Sequence, residues 1–575
     1  MTAILQCIIL ILFYLEFSPV LSYQVLEYTE TKLYSKYGAR KDYFGHAVGV
    51  HNDWVISGAY SSSAFQRDAG SAFSFRRNTT YDANSMKNVT SWKEMPYIIG
   101  SNIKPHDYFG GSIAVWRHTV VVGAYLDENV GTNSGTAYVF YYHNGEWKEQ
   151  QKLSSHNAMA ADYFGQSVDI FEDTIVVGAY GQADSGYFRG AAYVFERNSH
   201  HWTEVAMLRP MDIQDNHMFG CSAAIFNSTI IIGAYGDPVE SGSNTGSAYV
   251  FEYVPHPLND TSYEAFLQSY VMKSPSRSGR WTCTQKLVAS DARQYSNFGY
   301  AVAGDTRSKY NAASSTLVIG ANTARGAASG TGAAYVFVSS LVYQYSTSYV
   351  DDIDFSPRSW TQQAKLIAVE NIGDEHFGSS VAIDQATIVI GAPDDCFHQT
   401  DAGAAYVFHG SAGRWEMVKR VVGNDTKAHD HFGTNVNIDG DTIVIGSEQA
   451  DGVTTGTGAV YIIGDIKISA GAAKDQNPLV VQTKREKDRF VFILSLLPIL
   501  LVVIPIGVVS FVVYFDRYYA RIASVIGGRR LDATGGFALE EYASLHTSSH
   551  HGGGKAGRTD LDISVSSNFS EVGVF

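Results

Sequence analysis

Gly-Ala-Tyr closes a short apolar run at four places in this chain, putting Tyr60, Tyr125, Tyr180 and Tyr235 at equivalent positions just ahead of acidic loops. The carboxylates that follow include Asp68, Asp127, Asp184 and Asp237, and two further loops carry the Asp394-Asp395 pair and Glu448. Aromatic groups beside polar loops suit recognition, because aromatics are favoured at interface cores and polar groups at their rims. Bond-making asks for more: general acid–base work needs a carboxylate or imidazole within hydrogen-bond reach of the reacting proton. The sequence contains no nucleophile elbow, no H-E-x-x-H, no phosphate-cradling glycine loop and no His–carboxylate constellation at repeated ligand spacing. We therefore expect no catalysis, no cofactor and no metal. The tyrosines with Asp127, Asp184, Asp237, Asp394 and Asp395 form a candidate surface for a protein or glycan ligand.

Composition limits what can position these groups. Apolar residues make up 45% and charged residues 17% of the 575, enough to bury a core, and 54 glycines against 13 prolines imply many tight turns. A net charge of -15 sets nucleic acid aside, since phosphate backbones are bound by clustered Lys and Arg. Residues 1–22 read as a secretory signal ending at Val20-Leu21-Ser22. Phe490 to Phe515 carries no charge over 26 residues and reads as a membrane span, for which about 20 helical residues suffice. Basic residues flank the span on both sides, so the signal sets the orientation. Five N-x-S/T sequons ahead of the span, at Asn78, Asn88, Asn227, Asn259 and Asn424, fit an outward-facing glycoprotein. Beyond the signal only Cys221, Cys283 and Cys396 remain, so at most one disulfide can form and the fold is expected to rest on its core.

The chain repeats itself. Phe44-Gly45, Phe109-Gly110, Phe164-Gly165, Phe219-Gly220, Phe298-Gly299, Phe377-Gly378 and Phe432-Gly433 open seven copies, and in six of them a second glycine follows the Phe by 14 positions. Each copy holds four strand-like runs, A to D, and the B and C runs are apolar almost throughout, as strands buried on both faces are. Three positions after each Phe stands Ala47, Ser112, Ser167, Ser222, Ala301, Ser380 or Asn435, mostly small, as an innermost strand near an axis requires. Strand D carries a Trp six residues before an aliphatic residue, as in Trp202 and Leu208, and occurs only six times. The missing copy is supplied by Tyr23 to Leu33, since Leu33 stands 11 before Phe44 as Leu208 stands 11 before Phe219. The reading is an all-β, seven-bladed propeller over 23–465, closed by its N-terminal strand in blade seven. A stalk (466–489), the span (490–515) and a cytoplasmic tail (516–575) follow.

Phe-Gly at the start and Gly-Ala-Pro or Gly-Ala-Tyr at the end of each A–B unit resembles the FG-GAP repeats of the integrin α-chain propeller. The resemblance implies a type I adhesion protein, but it covers the head alone. No von Willebrand-type domain is inserted, residues 466 to 488 leave no room for leg domains, and the tail lacks G-F-F-K-R. That family's calcium loops join strands A and B, where this chain has two-residue turns such as Glu172-Asp173, too short to supply the six to eight oxygens calcium takes.

Antiparallel order sorts the loops onto two rims. The insertions at 76–91, 252–280, 302–316 and 338–359, with sequons Asn78, Asn88, Asn227 and Asn259, fall on the A–B and C–D rim, from which the stalk leaves. The opposite rim, carrying the tyrosines and Asn424, should face outward. Acids just ahead of each Phe, such as Asp42, Asp107, Asp162, Glu375 and Asp430, are expected to bond local backbone. A cell-surface receptor or adhesion protein is the leading expectation. A sorting receptor of secretory membranes, or an accessory subunit or enzyme acting on glycans or lipids, is the alternative.

Overall fold

The computed structural model describes residues 24–470, apart from 83–86, 184–186, 240–241, 256–278, 306–314, 329, 341–357, 369–372 and 412. The signal, span and tail, with Asp184 and Asn259, lie outside the described residues. Within them the strands form seven four-stranded antiparallel sheets. In blade three, Ser167–Phe171 pairs with Thr174–Ala179, which pairs with Ala191–Asn198, which pairs with His201–Leu208. Blade seven takes Phe432–Asp439, Thr442–Ser447 and Ala459–Ala470 from one end of the chain and Gln24–Leu33 from the other. These last two strands run antiparallel, with Leu33 opposite Val460 and Gln24 opposite Ala470. The last strand thus passes the boundary placed at 465. The 76–91 insertion is largely strand rather than loop: Ser71–Asp82 and Lys87–Glu94 form one long hairpin.

Period-two alternation is absent from the second strands because both faces are covered. Thr174–Ala179 is buried at every residue, and each apolar cluster spans a seam, as where Val176 and Val194 of blade three meet Ile230 and Tyr249 of blade four. The seam itself is made of backbone. Phe164 is fully buried against Tyr193 and Phe195 of its own blade, while its N–H donates to the Ser134 carbonyl of blade two at 3.0 Å. The same bond recurs at Phe44, Phe109, Phe219, Phe298, Phe377 and Phe432. Gly165 sits at φ +91°, where a Cβ would lie 2.3 Å from the Thr136 carbonyl oxygen, and a Cβ on Gly123 would lie 2.0 Å from the oxygen of Gly165. Both glycines of the repeat therefore face each other across every seam, including Gly446 of blade seven against Gly45 of blade one at 1.9 Å. In blades two to four the residue three after the Phe does more than stay small: Ser112, Ser167 and Ser222 donate to Gly165, Gly220 and Gly299 carbonyls of the next blade at 2.7 to 2.9 Å.

Seven residues after each Phe, strand A ends at the A–B rim on a residue that reaches the next blade. In blades one to four it is His51, Trp116, Phe171 or Phe226, with ring centroids 4.3 Å apart for His51–Trp116 and 4.6 Å for Trp116–Phe171. In blades five to seven it is Asp305, Asp384 or Asp439, and each carboxylate accepts the backbone N–H of the next blade's turn, Gln385, Gly440 or Asn52, at 2.6 to 2.7 Å. Six A–B links are two-residue turns, as the spacing predicts.

Two glycines of nearly equal φ separate the torsional cost of a side chain from its steric cost. Gly145, at φ +89°, has open space where a Cβ would stand, whereas Gly165 at +91° has the Thr136 carbonyl. Gly145→Ala should cost about 1–2 kcal/mol of unfolding free energy, and Gly165→Ala clearly more. Equal losses in denaturant titration would show that the close approach at the seam is not tight.

Candidate binding site at the axial mouth

Seven residues encircle the axis in a conformation that side chains avoid. Tyr43, Tyr108, Tyr163, Met218, Asn297, His376 and His431, each immediately before its Phe, have φ between 53 and 58°. The left-handed region costs a non-glycine residue about 1–2 kcal/mol, and glycine would adopt it freely. What the chain obtains in return is a set of contacts with the end of strand B. Tyr43 stacks on Tyr60 (5.0 Å, 11°) and Tyr163 on Tyr180 (5.0 Å, 15°), while Asn297 Nδ2 donates to Asn322 Oδ1 at 3.3 Å. In blade six the pair is His376 with Asp394, Nδ1 to Oδ2 at 2.5 Å.

Further contacts tie these pairs into a collar. The second Asp394 oxygen meets His431 Nδ1 of blade seven at 2.9 Å, and Glu448 meets His46 Nδ1 of blade one at 2.7 Å. His46 abuts Tyr60, Tyr60 leans on Tyr108, and Tyr108 meets Tyr125 edge-on at 5.8 Å. Tyr235 packs against Tyr300 of blade five at 5.6 Å. Apart from Met218 of blade four and Tyr300 of blade five, the collar is aromatic over blades one to four and polar over five to seven, close to the division at the other rim. Below it an axial cavity of about 510 Å³ is lined by Ser167, Asp169, Tyr180, Ser222, Tyr235 and Tyr300 among others. Asp169 accepts the N–H groups of Ile225 (2.7 Å) and Ile170 (2.8 Å), yet burial pushes its carboxyl up to about 7. Burial, then Tyr163, pushes Tyr180 up to about 12.

Of the carboxylates proposed for this surface, three are not on it. Asp127, Asp237 and Asp395 are 1%, 3% and 0% exposed. Asp127 accepts from Thr136, Tyr138 and Lys152; Asp237 from Ser247, Tyr249 and Lys286; and Asp395 from Tyr406 and, at both oxygens, Arg420. The tyrosine belongs to the G-x-A-Y of strand C and the base to strand D, so these carboxylates belong to the core. Asp394, one residue from Asp395, is the member of the set that reaches the collar. Tyr60, Tyr125, Tyr180 and Tyr235 are there, half-buried. The acids ahead of the Phe act as expected: Asp42, Asp107, Asp162 and Asp430 each accept the N–H three residues back, at 2.7 to 2.8 Å. Asn78, Asn227 and Asn424 are exposed. Cys221, Cys283 and Cys396 are free thiols, and burial pushes Cys221, beside the cavity, up to about 11.

The residues missed at the sequence level are the column before the Phe, with His46 and Tyr300 as collar partners; Glu448, read there as a loop acid of this rim, is a collar member. The column holds three tyrosines, then Met218, Asn297, His376 and His431, a mixture in which residue type gives no common signal.

The neighbours Asp394 and Asp395 should respond differently to substitution. Hydrogen bonding from His376 and His431 holds Asp394 below its ordinary 3.8, and Asp394 holds both imidazoles above 6.5. Their joint contribution is full between those values, fades as pH rises through the elevated imidazole pKa, and fades again as Asp394 protonates in acid. Asp394→Asn should therefore lower the melting temperature most near pH 5 and least near pH 9. Asp395→Ala removes a fully buried anion from the half-buried Arg420 and should cost about 3–5 kcal/mol at either pH. A flat pH profile for Asp394→Asn would contradict the assignment.

The sequence matches the FG-GAP repeat family at 92–140, 147–195, 202–251, 281–337, 360–408 and 415–463, together more than half of the chain. Each match opens on the strand-D tryptophan and ends in strand C of the following blade, so the sequence unit straddles a seam. No curated protein matches. Among solved structures, the periplasmic gluconolactonase PpgL of Pseudomonas aeruginosa aligns over 70% of this chain and 95% of its own at 10% identity and a TM-score of 0.36, a likeness too loose to carry chemistry across. By its repeats and their spacing, the chain belongs to the FG-GAP repeat family.

Proposed function

We propose that this protein is a type I membrane glycoprotein, a non-enzymatic cell-surface receptor or adhesion protein that binds a protein or glycan through the collar rim. The observation that carries the reading is the polarity of the propeller. Ala459–Ala470 runs away from the collar and ends beyond the A–B turns, so the chain leaves by the rim opposite the candidate site. An apolar segment at 490–515 follows in the sequence and is taken as the anchor in this reading. The apolar stretch in 1–22 and the exposed Asn78 and Asn227 on the departing rim agree with it. In the same reading the N-terminal strand is the clasp of the ring: Lys32 bonds Asp425 at 2.6 Å, and Asp425 accepts from Tyr461, the arrangement that Lys365, Asp291 and Tyr335 make within blade five.

Full-length protein bearing an epitope tag after residue 22 should be labelled on intact cells and shift in mobility after N-glycosidase treatment. Labelling only after permeabilisation would remove the surface reading and favour a sorting receptor of internal membranes.

A further inference from the structure

The polar side of the collar is already matched internally. Each of its carboxylates faces imidazoles, Asp394 between His376 and His431 and Glu448 beside His46. An ionic ligand would have to break these pairs. The aromatic side has the opposite condition. Among the described residues, the hydroxyls of Tyr60, Tyr108, Tyr125, Tyr180, Tyr235 and Tyr300 have no hydrogen-bond partner within the protein, and their rings pack in groups: Tyr60, Tyr108 and Tyr125; Tyr235 and Tyr300; and Tyr180 on Tyr163. These side chains are half-buried to exposed, Tyr300 at 40%, so a ligand can donate to and accept from their hydroxyls without breaking a hydrogen bond within the protein.

A ligand suited to this mouth is uncharged, has an apolar face to lie on tyrosine rings, and carries hydroxyls around its edge. It must also be small, since the cavity of about 510 Å³ lies within the range of roughly 300–1,000 Å³ typical of small-ligand sites. A pyranose ring has all of these properties. We propose that the collar is a carbohydrate site that takes the terminal neutral sugar of a glycan, with one sugar face against the arc from Tyr180 to Tyr300 and its hydroxyls shared between the phenols and the Asn322 and Asp394 side. This rests on the collar rim being the ligand face and narrows that reading to one class of ligand. The left-handed backbone before each Phe is the positioning device, because it holds Tyr163 against Tyr180 and His376 against Asp394 before any ligand arrives.

The test uses full-length protein in detergent on an array of oligosaccharides with fucose, galactose, mannose or N-acetylglucosamine termini, printed beside sialylated and sulfated forms. A neutral terminus should bind, and the corresponding free monosaccharide should compete. Tyr180→Ala and Tyr235→Ala should each weaken binding at least about 10-fold, consistent with loss of a stacking face and a hydrogen bond. Tyr180→Phe, which keeps the ring, should weaken it about 3- to 10-fold. Tyr141→Ala, at an exposed tyrosine near the opposite rim, should leave binding unchanged. Melting curves of each variant separate lost binding from lost fold, and Tyr180→Phe serves if the alanine variants do not fold. Retention of no neutral glycan, retention of sialylated or sulfated glycans alone, or indifference to Tyr180→Ala would overturn the proposal. If the collar variants instead abolish adhesion of cells to a protein-coated surface while no glycan binds, the sugar site falls and the receptor reading stands.

Discussion

Two backbones passing closer than any side chain permits is the constraint on which this ring depends. At each seam the glycine after the Phe and the glycine of the preceding blade's second strand leave no room for a Cβ, with carbonyl oxygens 1.9 to 2.6 Å from where one would be. That closeness brings the Phe N–H within reach of the loop ahead of the previous blade's third strand, and the Phe ring drops into its own blade against strand C. Burial of the ring supplies the driving force and the glycines supply the access. The propeller's small inner residues, its fully buried second strands and its inter-blade serine bonds all follow from blades spaced this tightly.

The same seam sets up the candidate site. Holding the Phe in place fixes the residue before it, and at all seven copies that residue sits in the left-handed region, directing its side chain at the end of strand B. The geometry is repeated sevenfold but the chemistry is not. Blades one to four place aromatics at both rims, and blades five to seven place Asn, His and carboxylates at one rim and Asp305, Asp384 and Asp439 at the other. A symmetric scaffold thereby presents an asymmetric mouth, which a binding site for one orientation of one ligand requires.

What was legible in the sequence is what backbone geometry dictates. Phe-Gly, the second glycine, the strand-D tryptophan and its aliphatic partner recur because each blade must meet the next in the same way, so strand order and copy number could be read from spacing alone. The fates of the acids could not. Asp127, Asp237 and Asp395 look like loop carboxylates, and only the register of strands C and D places Tyr138 and Lys152, Tyr249 and Lys286, or Tyr406 and Arg420 beside them. One trace of this network was available: a base directly precedes the strand-D aliphatic at Lys152, Lys286, Lys365 and Arg420, and again at Lys32, ahead of Leu33. The collar column was hidden for a different reason. Tyr43, Met218, Asn297 and His376 share no chemistry, only a backbone angle, and a backbone angle is not written in residue type.

Amide hydrogen exchange at the seven Phe N–H groups tests the seam most directly, because each N–H is donated across a different blade boundary. If one close backbone approach builds all seven seams, the peptides containing these amides should exchange together, at the slow rate of the buried second strands. Fast exchange at Phe44, or at any one Phe while its neighbours stay protected, would mean that the seams are not equivalent and that the ring is held by something else.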